Sequence, residues 1–354
     1  MKRSHWPSLA LFVLVLLIVA TSLLVNILHV RADSATRGKL FVFVQGINTT
    51  LQNSNPPTDS FGTRNGIAPY LSGAYPGSQF LMYSYNGDNG NGSPIAYQCQ
   101  DTFAGDTKAD VLKLAKQLGN YLKDKTNLDV YVVAHSFGGL VAYGYLSYLI
   151  SQNIVNANIP GTTGDRIAGV VTLDAPLGGI PNDLSLTRLF MVYSNTRQCP
   201  PLLGQPMPSV DQLFTLYKTG SLVPHGGNNS VAKVLFNTAI TNEAIASQAA
   251  TQGIQILTIG NARDYLYDPA SCKVLFGRPL IGASNYLNTQ WLSDQGNSSG
   301  IYGRYFVDGT PTCDNLSTLG INHAYVFDER SIQTALGQLI NKVSLTALPV
   351  ATGL

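Results

Sequence analysis

The stretch from residue 130 to residue 149 constrains this chain more than any other. An unbroken run of β-branched, aromatic and small residues, 130–134 (VYVVA), ends at His135-Ser136. A helical pattern then begins almost at once, with Leu140, Val141, Tyr145, Tyr148 and Leu149 recurring at helical spacing. A run without polar alternation is buried on both faces, which requires a parallel sheet covered by helices on each side. Similar runs stand at 40–44 (LFVFV), 80–85 (FLMYSY), 168–173 (AGVVTL), 254–259 (IQILTI) and 302–307 (YGRYFV). Residues 107–124 place Val111, Leu114, Ala115, Leu118, Tyr121 and Leu122 at helical spacing, with lysines opposite. Ser331 is expected to N-cap a last helix burying Ile332, Leu336, Leu339, Ile340 and Val343. Strand–helix repetition of this kind predicts an α/β fold, a doubly wound, mostly parallel sheet of about six strands.

One interval breaks the rhythm. Residues 181–252 contain Pro200, Pro201, Pro206, Pro208 and Pro224 with scattered Leu and Phe and few charges. A connection this long is expected to form a cap or lid over the carboxyl edge of the sheet. A peripheral structural excursion is the alternative.

The N-terminus bears on compartment. Lys2 and Arg3 precede an apolar run that starts at Leu9 and reaches Val30, and Val30-Arg31-Ala32 gives a small-x-small pattern before Asp33. This predicts a signal peptide over residues 1–32, or an uncleaved membrane anchor over residues 9–30, with the domain 33–354 outside the cytoplasm either way. Removing Lys2, Arg3 and Arg31 takes the formal charge from +2 to −1. A near-neutral domain without a basic cluster argues against nucleic acid as a partner. Lipid-interface contact stays open, and no protein partner is evident. Cys99, Cys199, Cys272 and Cys313 form no C-x-x-C pair, so zinc and redox roles are disfavoured and two disulfides are expected. Cys272 and Cys313 each follow a strand that leads into a functional loop, which favours Cys272–Cys313 with Cys99–Cys199.

The chemistry centres on residues 132–140, VVAHSFGGL. A serine hydroxyl becomes a useful nucleophile when it is held out of the sheet beside a base and near backbone N–H donors. A tight strand–turn–helix elbow does this by straining the serine backbone, so the positions two residues either side must be small. Here they are Ala134 and Gly138, and Gly139 lets the helix approach the sheet. The helix N-terminus adds a dipole that favours developing negative charge. In these residues the chain resembles the α/β-hydrolase superfamily, in particular its lipase/esterase branch. Ala134 replaces the first glycine of G-x-S-x-G, as in some secreted bacterial lipases of that superfamily.

The resemblance implies a Ser-His-Asp triad in that chain order. Of five histidines, His5 and His29 lie in the N-terminal segment, His135 lies inside the elbow and His225 lies in the cap interval. His323, between the last strand and the last helix, is the expected base, with His225 in reserve. Asp264, in the first loop after the fifth strand, is the expected acid that orients the imidazole. Asp268, one turn later and before Pro269, and Asp174, after the fourth strand in TLDAPLGG, are the alternatives. The oxyanion hole takes the Phe137 amide and, by resemblance to the H-G-x loop of related lipases, the Ile47 amide, with Gln45 replacing the usual His.

No cofactor is implied, and no metal-ligand cluster stands out. The 85–93 stretch (YNGDNGNGS) lacks the spaced acidic ligands and terminal Glu of a calcium loop. The expected function is hydrolysis of hydrophobic carboxylic esters by a secreted lipase or esterase. The alternatives are acyl transfer on the same triad and a non-catalytic cell-surface binding protein with this fold.

Overall fold

The computed structural model describes residues 37–46, 61, 66–85, 87, 95, 111–122, 127–152, 158–159, 164–177, 212–213, 215, 221–222, 240–261, 301–307 and 330–341. Of the two compact units into which the chain divides, Met1–Gly38 and Lys39–Leu354, the second carries the sheet.

Each of the six apolar runs is a strand. They are β1 (Gly38–Val44), β2 (Gln79–Met82), β3 (Leu128–His135), β4 (Arg166–Leu173), β7 (Gln255–Asn261) and β8 (Ile301–Val307). They form one sheet in the order β2-β1-β3-β4-β7-β8. The pairings β1–β2, β3–β4, β4–β7 and β7–β8 are parallel. A separate antiparallel pair, β5 (Ser221–Leu222) with β6 (Ile240–Thr241), lies in the long interval. The strand order reverses direction between β1 and β3. In open α/β sheets such a switch point, at the carboxyl ends of the strands, is where ligands bind.

The helices are α1 (Ile67–Ala74), α2 (Val111–Tyr121), α3 (Phe137–Ser151), α4 (Asn242–Thr251) and α5 (Arg330–Ile340). One face of the sheet carries α2, α3 and α4, with α3 in the middle, and α1 and α5 pack together on the other. The central place of α3 explains its composition. Phe137, Leu140, Val141, Ala142, Tyr143, Tyr145, Leu146 and Leu149 are all buried, as a helix packed on a sheet and flanked on both sides demands. On the α1/α5 face, Phe41 stacks on Phe80 at 5.4 Å and on Tyr131 at 5.5 Å between ring centroids. These rings tie β1 to β2 and to β3 across the switch point.

Three elements differ from expectation. Ser331 lies inside α5, which begins at Arg330; a residue with helical backbone cannot serve as the N-cap, whose backbone is extended. Helix α1 has no periodic signature: with Pro69, Ser72 and Gly73 in eight residues it buries only Ile67, Ala68 and Leu71. Near its end, the interval expected to form a cap contains α4, which buries Ile245, Ala246 and Ala249 and packs on α3 and β7 as the crossover into β7. Earlier in that interval, Gln212 Oε1 accepts a hydrogen bond from Val111 N at 2.7 Å. Gln212 thereby satisfies a backbone donor in the first turn of α2 that the helix itself cannot. Apart from residues 212–213, 215, 221–222 and 240–252, the cap interval lies outside the described residues, as do the N-terminal residues 1–36 and all four cysteines.

Candidate active site

Ser136 joins β3 to α3 with no intervening loop. Its backbone has φ 54° and ψ −130°, outside the regions a serine ordinarily occupies. A single residue reversing the chain between a strand and a helix needs such a conformation, and it costs on the order of 1–3 kcal/mol unless its surroundings over-determine it. They do. The Ser136 amide bonds to Leu173 O on β4 at 2.9 Å, and the Ser136 carbonyl accepts from Gly139 N at 2.9 Å. Ser136 is the N-cap of α3, yet its hydroxyl makes no capping bond, so the usual use of serine at this position is forgone.

Two glycines make the elbow possible through tertiary approach. A Cβ on Gly138 would lie 2.4 Å from the carbonyl oxygen of Val44 and 2.6 Å from that of Gln45. A Cβ on Gly139 would lie 2.3 Å from the Ala175 methyl and 3.3 Å from Cγ2 of Thr172. The first turn of α3 is thus wedged between the carboxyl ends of β1 and β4. Ala134 is fully buried two residues before the serine.

The loop leaving β1 lies against the nucleophile. A Cβ placed on Gly46 would stand 2.9 Å from Ser136 Cβ, 3.2 Å from Ser136 Oγ and 3.6 Å from His135 Nδ1. The chain therefore leaves the sheet at Gly46 in contact with the serine side chain. The Tyr85 hydroxyl donates to Gln45 O at 2.5 Å, and the Tyr85 ring stacks on Phe137 at 6.3 Å. This tyrosine, at the end of the second apolar run, clamps the end of β1 to the first residue of α3. The sequence marks it only as part of an apolar run. Gln117, on α2, holds the backbone there by donating to Tyr85 O at 3.0 Å.

Ser136 is 6% exposed and Asp174 is 0% exposed. Asp174 follows β4, has φ 47°, and its amide donates to Ile259 O at 2.7 Å. Among the described residues, two of the three non-glycine residues with positive φ therefore sit at neighbouring strand ends on the edge that carries the elbow. The Phe137 amide opens α3, whose first turn contains no acidic side chain to oppose the helix dipole. Of the residues expected at the site, the structure places Ser136, Phe137 and Asp174. Asp264, Asp268, His323, His225 and Ile47 lie outside the described residues. Among the described residues no group of three or more His, Cys, Asp or Glu forms a metal site.

A sheet ordered β2-β1-β3-β4-β7-β8, doubly wound, with a strained serine between the third strand and its helix, is the α/β-hydrolase fold. No protein-family model matches the chain, and no curated protein does. Solved structures resemble it at low identity. A lipase-esterase related protein from Clostridium acetobutylicum is 12% identical at a TM-score of 0.37, over 87% of this chain and 96% of that one. Mycobacterium tuberculosis MPT51 (FbpC1) is 14% identical at 0.40, over 87% and 90%. Legionella pneumophila phospholipase PlaB, in complex with thio-NAD, is 12% identical at 0.38, over 66% of this chain but only 40% of that one. The strand order and the elbow, rather than these likenesses, define the class.

Proposed function

We propose that this protein is an exported serine hydrolase that cleaves hydrophobic carboxylic esters, with Ser136 as nucleophile, His323 as general base and Asp264 orienting the imidazole. The observation that carries the reading is the Ser136 backbone, strained and over-determined at the switch point with its hydroxyl withheld from capping. Strain held in place by its surroundings at a ligand-binding edge is what a nucleophile elbow requires.

In the first step Oγ bonds to the acyl carbon, the imidazole of His323 takes the hydroxyl proton, and the carbonyl electron pair moves onto oxygen. The Phe137 and Ile47 amides receive that oxyanion; one such donor is worth on the order of 3 kcal/mol of barrier. Collapse of the tetrahedral species breaks the ester C–O bond, and the leaving alcohol takes its proton from the imidazolium. Water then repeats the sequence on the acyl-enzyme and releases the acid. The few charges of the cap interval and the N-terminal apolar segment favour lipid-like esters and export.

The test is hydrolysis of p-nitrophenyl esters of increasing acyl length by the full chain. Long-chain preference supports a lipase, and acyl-enzyme formation without hydrolysis redirects the reading to acyl transfer. No turnover of any ester by folded protein removes it. Asp264→Asn set against Asp174→Asn decides the acid: the larger fall in kcat is expected at Asp264, and a larger fall at Asp174 reassigns the role.

A further inference from the structure

The end of β1 carries a second chemical feature that the triad does not use. Gln45 is 2% exposed, and its side-chain Nε2 is buried with no hydrogen-bond partner among the described residues. Gln255 Oε1 is in the same condition, and among the described residues Gln45 supplies the one such nitrogen. An amide donor kept from water and left unpaired lowers stability, so it persists in a folded protein where something else needs it.

Its location says what that is. Gln255 stands where β7 begins, whereas Gln45 stands at the carboxyl edge beside the elbow. Its main chain is fixed on two sides, with its carbonyl held by the Tyr85 hydroxyl at 2.5 Å and packed against the place a Gly138 side chain would fill. The following residue, Gly46, touches the Ser136 side chain. The side chain thus springs from an immobile base, one residue from contact with the nucleophile. A donor on a main chain fixed in this way stabilises charge as it appears on a bound substrate with little reorganisation.

We propose that the Gln45 side-chain amide is a substrate-binding donor, hydrogen-bonding the carbonyl oxygen of the ester as it becomes the oxyanion and adding a third donor to the Phe137 and Ile47 amides. The proposal rests on Ser136 being the nucleophile. It adds that the residue at this position takes part through its side chain.

The experiment compares the full wild-type chain with Gln45→Met, which keeps the length but removes the donor, and Gln45→Glu, which keeps the shape but replaces the donor with a carboxylate. The readouts are kcat and KM for p-nitrophenyl butyrate and the thermal midpoint. In Gln45→Met kcat falls about tenfold to a hundredfold with little change in KM, while the thermal midpoint is unchanged or raised because an unpaired polar group has gone. In Gln45→Glu kcat falls further at neutral pH, since a negative charge then faces the developing oxyanion. A kcat within threefold of wild type in Gln45→Met overturns the proposal. So does a fall in kcat accompanied by a loss of several degrees in the midpoint, which marks a structural amide. Should Gln45→Met fail to fold, Gln45→Glu decides: activity near wild type overturns the proposal. Absence of turnover in the wild type, by contrast, defeats the hydrolase reading itself.

Discussion

The two ends of the central strands solve different problems with similar materials. At the amino end of β3 and β4, positive φ falls on Asn127 (54°) and Gly164 (77°), residue types that adopt it readily. Polar groups there are engaged in holding the strands together. Arg166 makes two bonds to Asp129, the shorter 2.7 Å, and Asp165 Oδ1 accepts from Leu128 N at 2.7 Å. At the carboxyl end positive φ falls on Asp174 and, outside the left-handed well, on Ser136. Glycines are forced there by close approach, and the Gln45 amide has no partner among the described residues. The amino end is built for cohesion. The carboxyl end holds backbone strain that cohesion alone does not explain, and a reaction does.

If that contrast is right, substitutions at the two ends separate activity from stability. The largest effect is expected at Ser136. Ser136→Ala lowers ester hydrolysis by about 10⁴-fold or more. Ser136→Gly is equally inactive but raises the unfolding free energy by about 1 kcal/mol, because glycine adopts the elbow conformation without strain. Chemical denaturation of both variants checks this, and a destabilised glycine variant would break the comparison. Next is Gly138→Ala, whose methyl meets the backbone oxygen of Val44. It displaces the elbow, costs about 1–3 kcal/mol and lowers kcat by about 10²-fold.

At the opposite end the pattern inverts. Asp129→Ala, which removes a partly buried ion pair, lowers stability by about 1–2 kcal/mol and leaves kcat within twofold. The smallest effect concerns Tyr143, on the helix that links the two ends, where burial pushes the phenol up to about 12. The unfolded chain loses that proton near pH 10, before the folded protein does, so stability is full below about pH 10 and declines toward pH 12. Tyr143→Phe flattens that decline, as denaturation midpoints measured across this range will register.

Much of this architecture was legible in the chain, because the buried strands have no polar alternation and so announce themselves. The elbow was legible for a related reason: a strand run and a helical run met with only His135-Ser136 between them. What the pattern hid is tertiary. Ala134, Gly138 and Gly139 read as small because the turn is tight. In the structure Gly138 is small because β1 ends against it, and Gly139 because Ala175 does. The Tyr85–Gln45 bond joins residues 40 positions apart, and the Asp165–Leu128 bond joins residues 37 apart. Neither spacing leaves a local trace. Helix α1 escaped notice because Pro69 and Gly73 erase its periodicity, while α5, far away in the sequence, packs against it.

The claim on which the rest depends is that this backbone geometry makes a single serine reactive. Incubating the folded full chain with a fluorophosphonate and locating the adduct by mass spectrometry addresses it without assuming any substrate. One phosphonylated residue, Ser136, lost in Ser136→Ala, is the predicted result. Modification at a different serine, or no modification of protein whose thermal transition is intact, would contradict it.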